Sequence, residues 1–213
     1  MALICYYHPL SSYCHKVLIA LYENDTPFER VQVDLGSEPS RGDFLKVWPI
    51  GKFPVIKDGP RVVAESSVII EYLDQHYPGR TRFVPADPDR ALETRMRDRF
   101  IDLHVHTHMQ KIVGDRIRPA GSKDPLGVEE ARSRMKTALD MIEKEIGAAW
   151  MMGNDFSLAD CSAAPALFYA NKVAPLDRSH PKTLKYLERL MARPSYARTL
   201  KEAEPYFQFF PKE

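Results

Sequence analysis

The sequence predicts an α/β domain followed by an all-helical domain. Three observations carry that prediction. Short apolar runs bounded by turn residues, which read as strands, recur as far as Ala64 and then stop. Helical periodicity is interleaved with them and becomes the only periodic signal beyond Pro88. Between the two regimes Pro78, Pro85 and Pro88 interrupt the chain, as a linker does. The expected division is residues 1–78 for the first domain, 79–86 for the linker and 87–213 for the helical domain.

Taken in order, Ala2 to Tyr7 is an apolar run stopped near Pro9, the pattern of a buried strand. From about Tyr13 to Asn24, Val17, Leu18, Leu21 and Tyr22 recur at helical spacing. Phe28 to Val33 reads as a second strand, and Phe44 to Trp48 as a helical turn ended by Pro49. Pro54 to Lys57 and Arg61 to Ala64 flank Asp58-Gly59, a hairpin signal. Ser67 to Tyr77 places Val68, Ile69, Tyr72 and Leu73 on a helix that Pro78-Gly79 ends. The order is therefore β-α-β-α-β-β-α. In the second half, Leu92, Met96, Phe100 and Leu103 form one stripe, with Ile101, Val105, Met109 and Ile112 beside it. Such a broad apolar face belongs against other helices. Further helices fit Val128 to Ile146, Leu158 to Asn171, Pro181 to Met191 and Ser195 to Glu202.

Composition excludes several function classes. The 213 residues are 44% hydrophobic and 28% charged, ordinary values for a globular protein. With 30 Lys+Arg against 29 Asp+Glu the net charge is +1, without the basic excess of a nucleic-acid binder. No apolar run approaches the ~18 residues of a membrane span, and MALICYYHPL has no signal-peptide pattern. A cytoplasmic protein with no nucleic-acid or membrane partner is expected. Cys5, Cys14 and Cys161 are odd in number and far apart, which argues against a disulfide framework or a zinc site.

Three segments carry candidate chemistry. HPLSSYCHKV, residues 8–17, puts Ser11 and Ser12 where a strand passes into a helix, a position that favours caps. PIGKFPVIKDG, residues 49–59, leads through Lys52, Phe53 and Pro54 into a strand. AESSVIIEYLD, residues 64–74, sets Glu65 and Ser66 at a helix start, where backbone N–H groups receive anions. In this order the three segments, and the β-α-β-α-β-β-α domain followed by helices, resemble the cytosolic glutathione transferase family over essentially the whole chain. The likeness is to serine-type, theta/zeta-like bacterial members.

The resemblance implies a thioredoxin-like first domain and glutathione as co-substrate, with no metal. It implies Ser11 as the hydroxyl that hydrogen-bonds the glutathione sulfur, with Ser12 as the weaker candidate. It implies backbone contacts at Phe53, before a cis Pro54, and Lys52 near the glycine carboxylate. Glu65 and Ser66 would grip the γ-glutamyl end, and His106 is a further candidate for a glutathione contact. The partner substrate would be a small hydrophobic electrophile in an apolar cleft near Leu103 to Ile112, and the assembly a homodimer. The physics is feasible: a free thiol has a pKa near ~8.5. One charge-assisted hydrogen bond, roughly 1.5–3 kcal/mol, lowers that by about one to two units.

Other features read as structural. FSLADC, residues 156–161, is a capping box with Ser157 at N-cap and Asp160 at N3. His104, His106 and His108 suggest metal, yet helical geometry turns His106 about 200° from His104. Cys14 falls inside the helix, so dithiol exchange lacks a nucleophile at the helix start. Tyr206, Phe207, Phe209 and Phe210 either pack the helical domain or close the pocket. Two rivals stand beside the transferase. A maleylacetoacetate-type isomerase is resembled by SSYCHKV, although Tyr13 displaces the cysteine and Lys16 stands where an arginine is usual. The other rival is a non-catalytic glutathione-binding interaction module.

Overall fold

The computed structural model describes residues 2–176 and 178–212, so the outer domain limits at 1 and 213 lie outside the described residues. Strand β1 (Ile4–Tyr7) occupies the middle of a four-stranded sheet of order β2-β1-β3-β4. It pairs in parallel with β2 (Glu29–Gln32), Cys5 facing Arg30, and antiparallel with β3 (Val55–Asp58), Cys5 facing Ile56. β3 and β4 (Arg61–Ala64) form the hairpin around Asp58-Gly59, and Gly59 has φ +57, a left-handed turn that suits glycine. The expected β-α-β-α-β-β-α order holds.

Helix α1 (Ser12–Glu23) is buried along its length apart from Tyr13. Val17, Leu18, Ile19, Ala20 and Leu21 are all almost fully inside. A helix apolar all round must be covered on all faces, and here α3 (Ser66–His76), α7 (Leu158–Val173) and α9 (Pro194–Ala203) pack around it over the sheet. One contiguous core consequently runs through both halves of the chain. Helix α2 (Ser40–Val47) covers the other sheet face with Phe44 packed on Val33 and Val55. It starts four residues before the expected helical turn. Its first residues are exposed and polar and give no apolar periodicity.

The linker is tied down. Asp74 accepts from the backbone N–H groups of Phe83 and Val84 at 3.0 and 2.8 Å, and the Asn24 side chain pairs with the Thr81 backbone at 2.8 and 2.9 Å. Pro88 is the first residue of α4 (Pro88–Ile101), with Asp87 as its N-cap. The helix continues through one π-helical turn, Asp102–His106, into α5 (Thr107–Arg116). Ile101, Val105, Met109 and Ile112 are buried as expected of that stripe. The neighbouring stripe is not: Leu92, Met96 and Leu103 are 66, 53 and 47% exposed.

Helices α6 (Pro125–Glu145), α7, α8 (Pro181–Ala192) and α9 complete the second half. The capping box at the start of α7 is present: the Ser157 N–H and hydroxyl both donate to Asp160 at 2.9 Å. Asp160 also receives Met151 N–H and the Tyr186 hydroxyl at 2.8 and 2.6 Å, so this buried carboxylate ties α7 to α8. Of the C-terminal aromatics, Phe207 packs on Phe168 and Phe210 on Tyr169, while Phe209 is exposed and Tyr206 reaches His8. Packing is thus their main part. Among the described residues no helix is long and apolar enough to cross a membrane.

Candidate active site

A cleft of about 610 Å³ opens between the sheet domain and the α4–α5 helix. Its sheet-domain wall is built from the loop before β3 and the start of α3, through Trp48, Lys52, Phe53 and Pro54 and then Glu65, Ser66 and Ser67. Tyr13, in the first turn of α1, joins them. The opposite wall is Arg95, Asp98, Arg99, Asp102, Leu103, Thr107 and Gln110. The cleft was expected to be apolar near Leu103 to Ile112. The helical wall instead carries four charged side chains before it reaches Leu103, because α4 presents its polar face here and its buried stripe to α7.

The residues named from sequence fall into two groups. Lys52, Phe53, Pro54, Glu65 and Ser66 line this one cleft. The Phe53–Pro54 bond is cis, and pairing of β3 with β4 and β1 ends at Val55, so the Phe53 backbone lies beyond the ladder. Glu65 has φ +67, a left-handed conformation that costs a side-chain-bearing residue about 1–3 kcal/mol and is characteristic of functional sites. It is the N-cap of α3, yet no side chain caps the helix, so the N–H groups of its first turn are left for another partner. Ser66 itself is buried at the first helical position.

Ser11, Ser12 and His106 are not among the residues lining that cleft. Ser11 is half-buried as the N-cap of α1, its Oγ accepting from Cys14 N–H at 3.3 Å. That bond uses a lone pair, and the hydroxyl proton lies within reach of the Cys14 thiol, so donation to a bound sulfur would turn the proton away from Cys14 while the cap is kept. Ser12 is buried behind it. His106 is fully buried, and the Tyr13 ring stacks on it with centroids 4.1 Å apart and an interplanar angle of 21°. His104 is exposed against Phe100 and His108 is half-buried, so the three histidines meet three different surroundings. Among the described residues no cluster of three or more His, Cys, Asp or Glu could hold a metal ion.

Beneath the cleft lies a charge cluster that the sequence reading did not single out. Lys16 has no exposed surface, and its ammonium donates to Asp98 at 2.5 Å, Asp102 at 3.0 Å and the Ser67 hydroxyl at 2.8 Å. Ser67 donates in turn to Asp98 at 2.8 Å, and Ser162 on α7 also donates to Asp98. The cluster therefore joins α1, α3, α4 and α7. Burial opposes the charge on Asp102, but the neighbouring His106 and Lys16 outweigh it and hold this carboxyl below the ordinary range. Burial likewise keeps the His106 imidazole below its ordinary value, only partly offset by Asp102 at 3.6 Å. A signal was available: a lysine immediately before the apolar run Val17–Leu21, on the same helix, must find carboxylates when buried.

Cys14 sits on the inner side of α1, accepting from His8 N–H at 3.4 Å. Burial pushes its thiol up to about 12, the opposite of what a nucleophilic cysteine needs.

Comparison with known proteins agrees with this architecture. The family models for the N-terminal and C-terminal domains of glutathione S-transferase match residues 6–81 and 125–189. Glutathione S-transferase 3 of Zea mays is 30% identical over 202 residues, covering 90% of each chain. A stringent starvation protein A homolog of Haemophilus influenzae is 28% identical over 203 residues, covering 91% of this chain and 87% of that one. A solved glutathione S-transferase of Methylobacterium radiotolerans, in complex with glutathione sulfonate, is 26% identical with a TM-score of 0.80, covering 93% of this chain and 94% of that one. With both domain models matched in order and the fold reproduced, this chain belongs to the glutathione S-transferase family.

Proposed function

We propose that the chain is a glutathione transferase that binds glutathione along the sheet-domain wall and activates its thiolate for attack on an electrophile in the cleft. The observation that carries this reading is the start of α3. Glu65 is held at positive φ beside an uncapped helix N-terminus, in one cleft with Lys52 and the Phe53 backbone edge. That arrangement suits a peptide with a zwitterionic head at one end and a carboxylate at the other. Ser11 would donate its hydroxyl proton to the glutathione sulfur, and the α1 N-terminus would favour the anion. Glutathione sulfonate bound by a relative of 26% identity supports the same ligand class. Calorimetry with glutathione, followed by conjugation of an activated aryl chloride, tests the reading. Binding with turnover supports it; absence of binding at millimolar glutathione overturns it.

A binding-only module is the second reading. It draws on the Ser11 hydroxyl already serving as a helix cap and on its place outside the cleft lining. Glutathione binding without turnover across electrophile classes would select it.

We further propose a homodimer. Leu92 and Met96 form an exposed apolar ridge along α4, with Met141 of α6 exposed as well. Such a ridge costs solubility unless it is covered.

A further inference from the structure

We propose that Tyr13 reads the γ-glutamyl end of glutathione, its phenol donating a hydrogen bond to the α-carboxylate at the start of α3. The inference rests on the glutathione reading above and gives that site a recognition residue on α1.

Tyr13 lines the cleft together with Glu65, Ser66 and Arg99. Asp98 and Asp102 of the opposite wall line the same cleft. Its ring is fixed in place. It stacks on His106, which is fully buried and stands 3.6 Å from Asp102, and Asp102 is held by Lys16. Neither His106 nitrogen has a hydrogen-bond partner, so the imidazole serves as a flat support under the ring. A side chain locked in this way loses little freedom when a ligand arrives.

The phenol itself makes no hydrogen bond to any described residue, although the side chain is half-buried. Burial raises its pKa to about 12, so it remains protonated and is a donor at neutral pH. The charges around it fit one kind of ligand head. Arg95 pairs with Glu71, and Lys16 with Asp98 and Asp102, so among the described residues Glu65 is the carboxylate of the cleft lining that has no ion-pair partner. An amino-acid head would set its ammonium at Glu65. Its carboxylate then takes the α3 N–H groups and the Tyr13 hydroxyl.

The test is Tyr13→Phe, which keeps the stack on His106 and removes only the donor, with an unchanged thermal midpoint as the folding control. Affinity is measured for glutathione, for γ-glutamyl-α-aminobutyryl-glycine, which has no sulfur, and for γ-glutamylcysteine, which has no glycine. Loss of one charge-assisted hydrogen bond predicts about a tenfold weaker Kd for all three peptides, with the thiolate pKa of bound glutathione unchanged. Unchanged affinity for all three overturns the proposal. So does a loss confined to the two thiols with a raised thiolate pKa, which would assign Tyr13 to the sulfur. A loss confined to the two glycine-bearing peptides overturns it as well, in favour of the glycine end. Failure of the wild-type protein to bind any of the three would bring down the glutathione reading itself.

Discussion

Replacing Lys16 with methionine removes one cation from beneath two carboxylates. Methionine fits the volume, so packing is nearly conserved and the loss is electrostatic. Asp98 keeps its bonds from Ser67 and Ser162, whereas Asp102 keeps only Arg99 at 3.8 Å and His106 at 3.6 Å. Both carboxylates are at least nine-tenths buried. Breaking such a buried pair costs about 3–5 kcal/mol. At about 2–4 °C per kcal/mol for a chain of this length, the melting temperature should fall by about 10 °C. The pH dependence has a definite sign. The native Asp102 carboxyl lies below its ordinary range, so its stabilisation is present above about pH 4 and is lost as pH falls through the folded-state value. The deficit of Lys16→Met should therefore be largest at neutral pH and shrink in acid. Thermal unfolding followed by circular dichroism between pH 3 and pH 8 reads both effects. A fall of less than about 2 °C at neutral pH, or a deficit that does not change with pH, would refute the idea that Lys16 neutralises these carboxylates.

Three other outcomes follow from the structure. Ser157→Ala removes the hydroxyl from the α7 capping box and should cost about 1–2 kcal/mol in denaturant unfolding while leaving glutathione affinity unchanged. Cys5, Cys14 and Cys161 are all buried, with thiols raised by burial, so a disulfide reagent at pH 8 should react only as fast as the protein unfolds. Rapid labelling of the native state would contradict that. Met96→Glu puts a charge on the exposed α4 ridge and should reduce the mass in solution from dimer to monomer by light scattering. A wild-type monomer would sink the dimer proposal.

The sheet domain was legible because its punctuation is strong. Pro9, Asp58-Gly59 and Pro78-Gly79 bracket elements whose order alone narrows the fold. Helix α2 began earlier than expected because only Phe44 of its residues is buried, which leaves the period almost unmarked. The Leu92–Met96–Leu103 stripe was legible as apolar but not as exposed: periodicity reports that a face needs covering, not whether the cover comes from the same chain. In the cleft, Lys52, Phe53, Glu65 and Ser66 were readable from local motifs, since each sits at a strand or helix boundary. Tyr13 and Lys16 were not. Their contacts are with Asp98, Asp102 and His106, about 80 to 90 residues further along the chain, brought under α1 only by tertiary packing. The π turn at Asp102–His106 left no mark in the sequence pattern, although such turns gather at functional sites.

The central claim concerns one hydroxyl and one sulfur, and ultraviolet thiolate absorbance tests it directly. Glutathione bound to the wild-type protein and to Ser11→Ala is titrated from acid to alkaline pH. The account predicts a wild-type thiolate pKa about one to two units below the free value of ~8.5 and a return toward that value in the mutant. The same pKa in both proteins would contradict it, leaving Ser11 as the cap of α1 and nothing more.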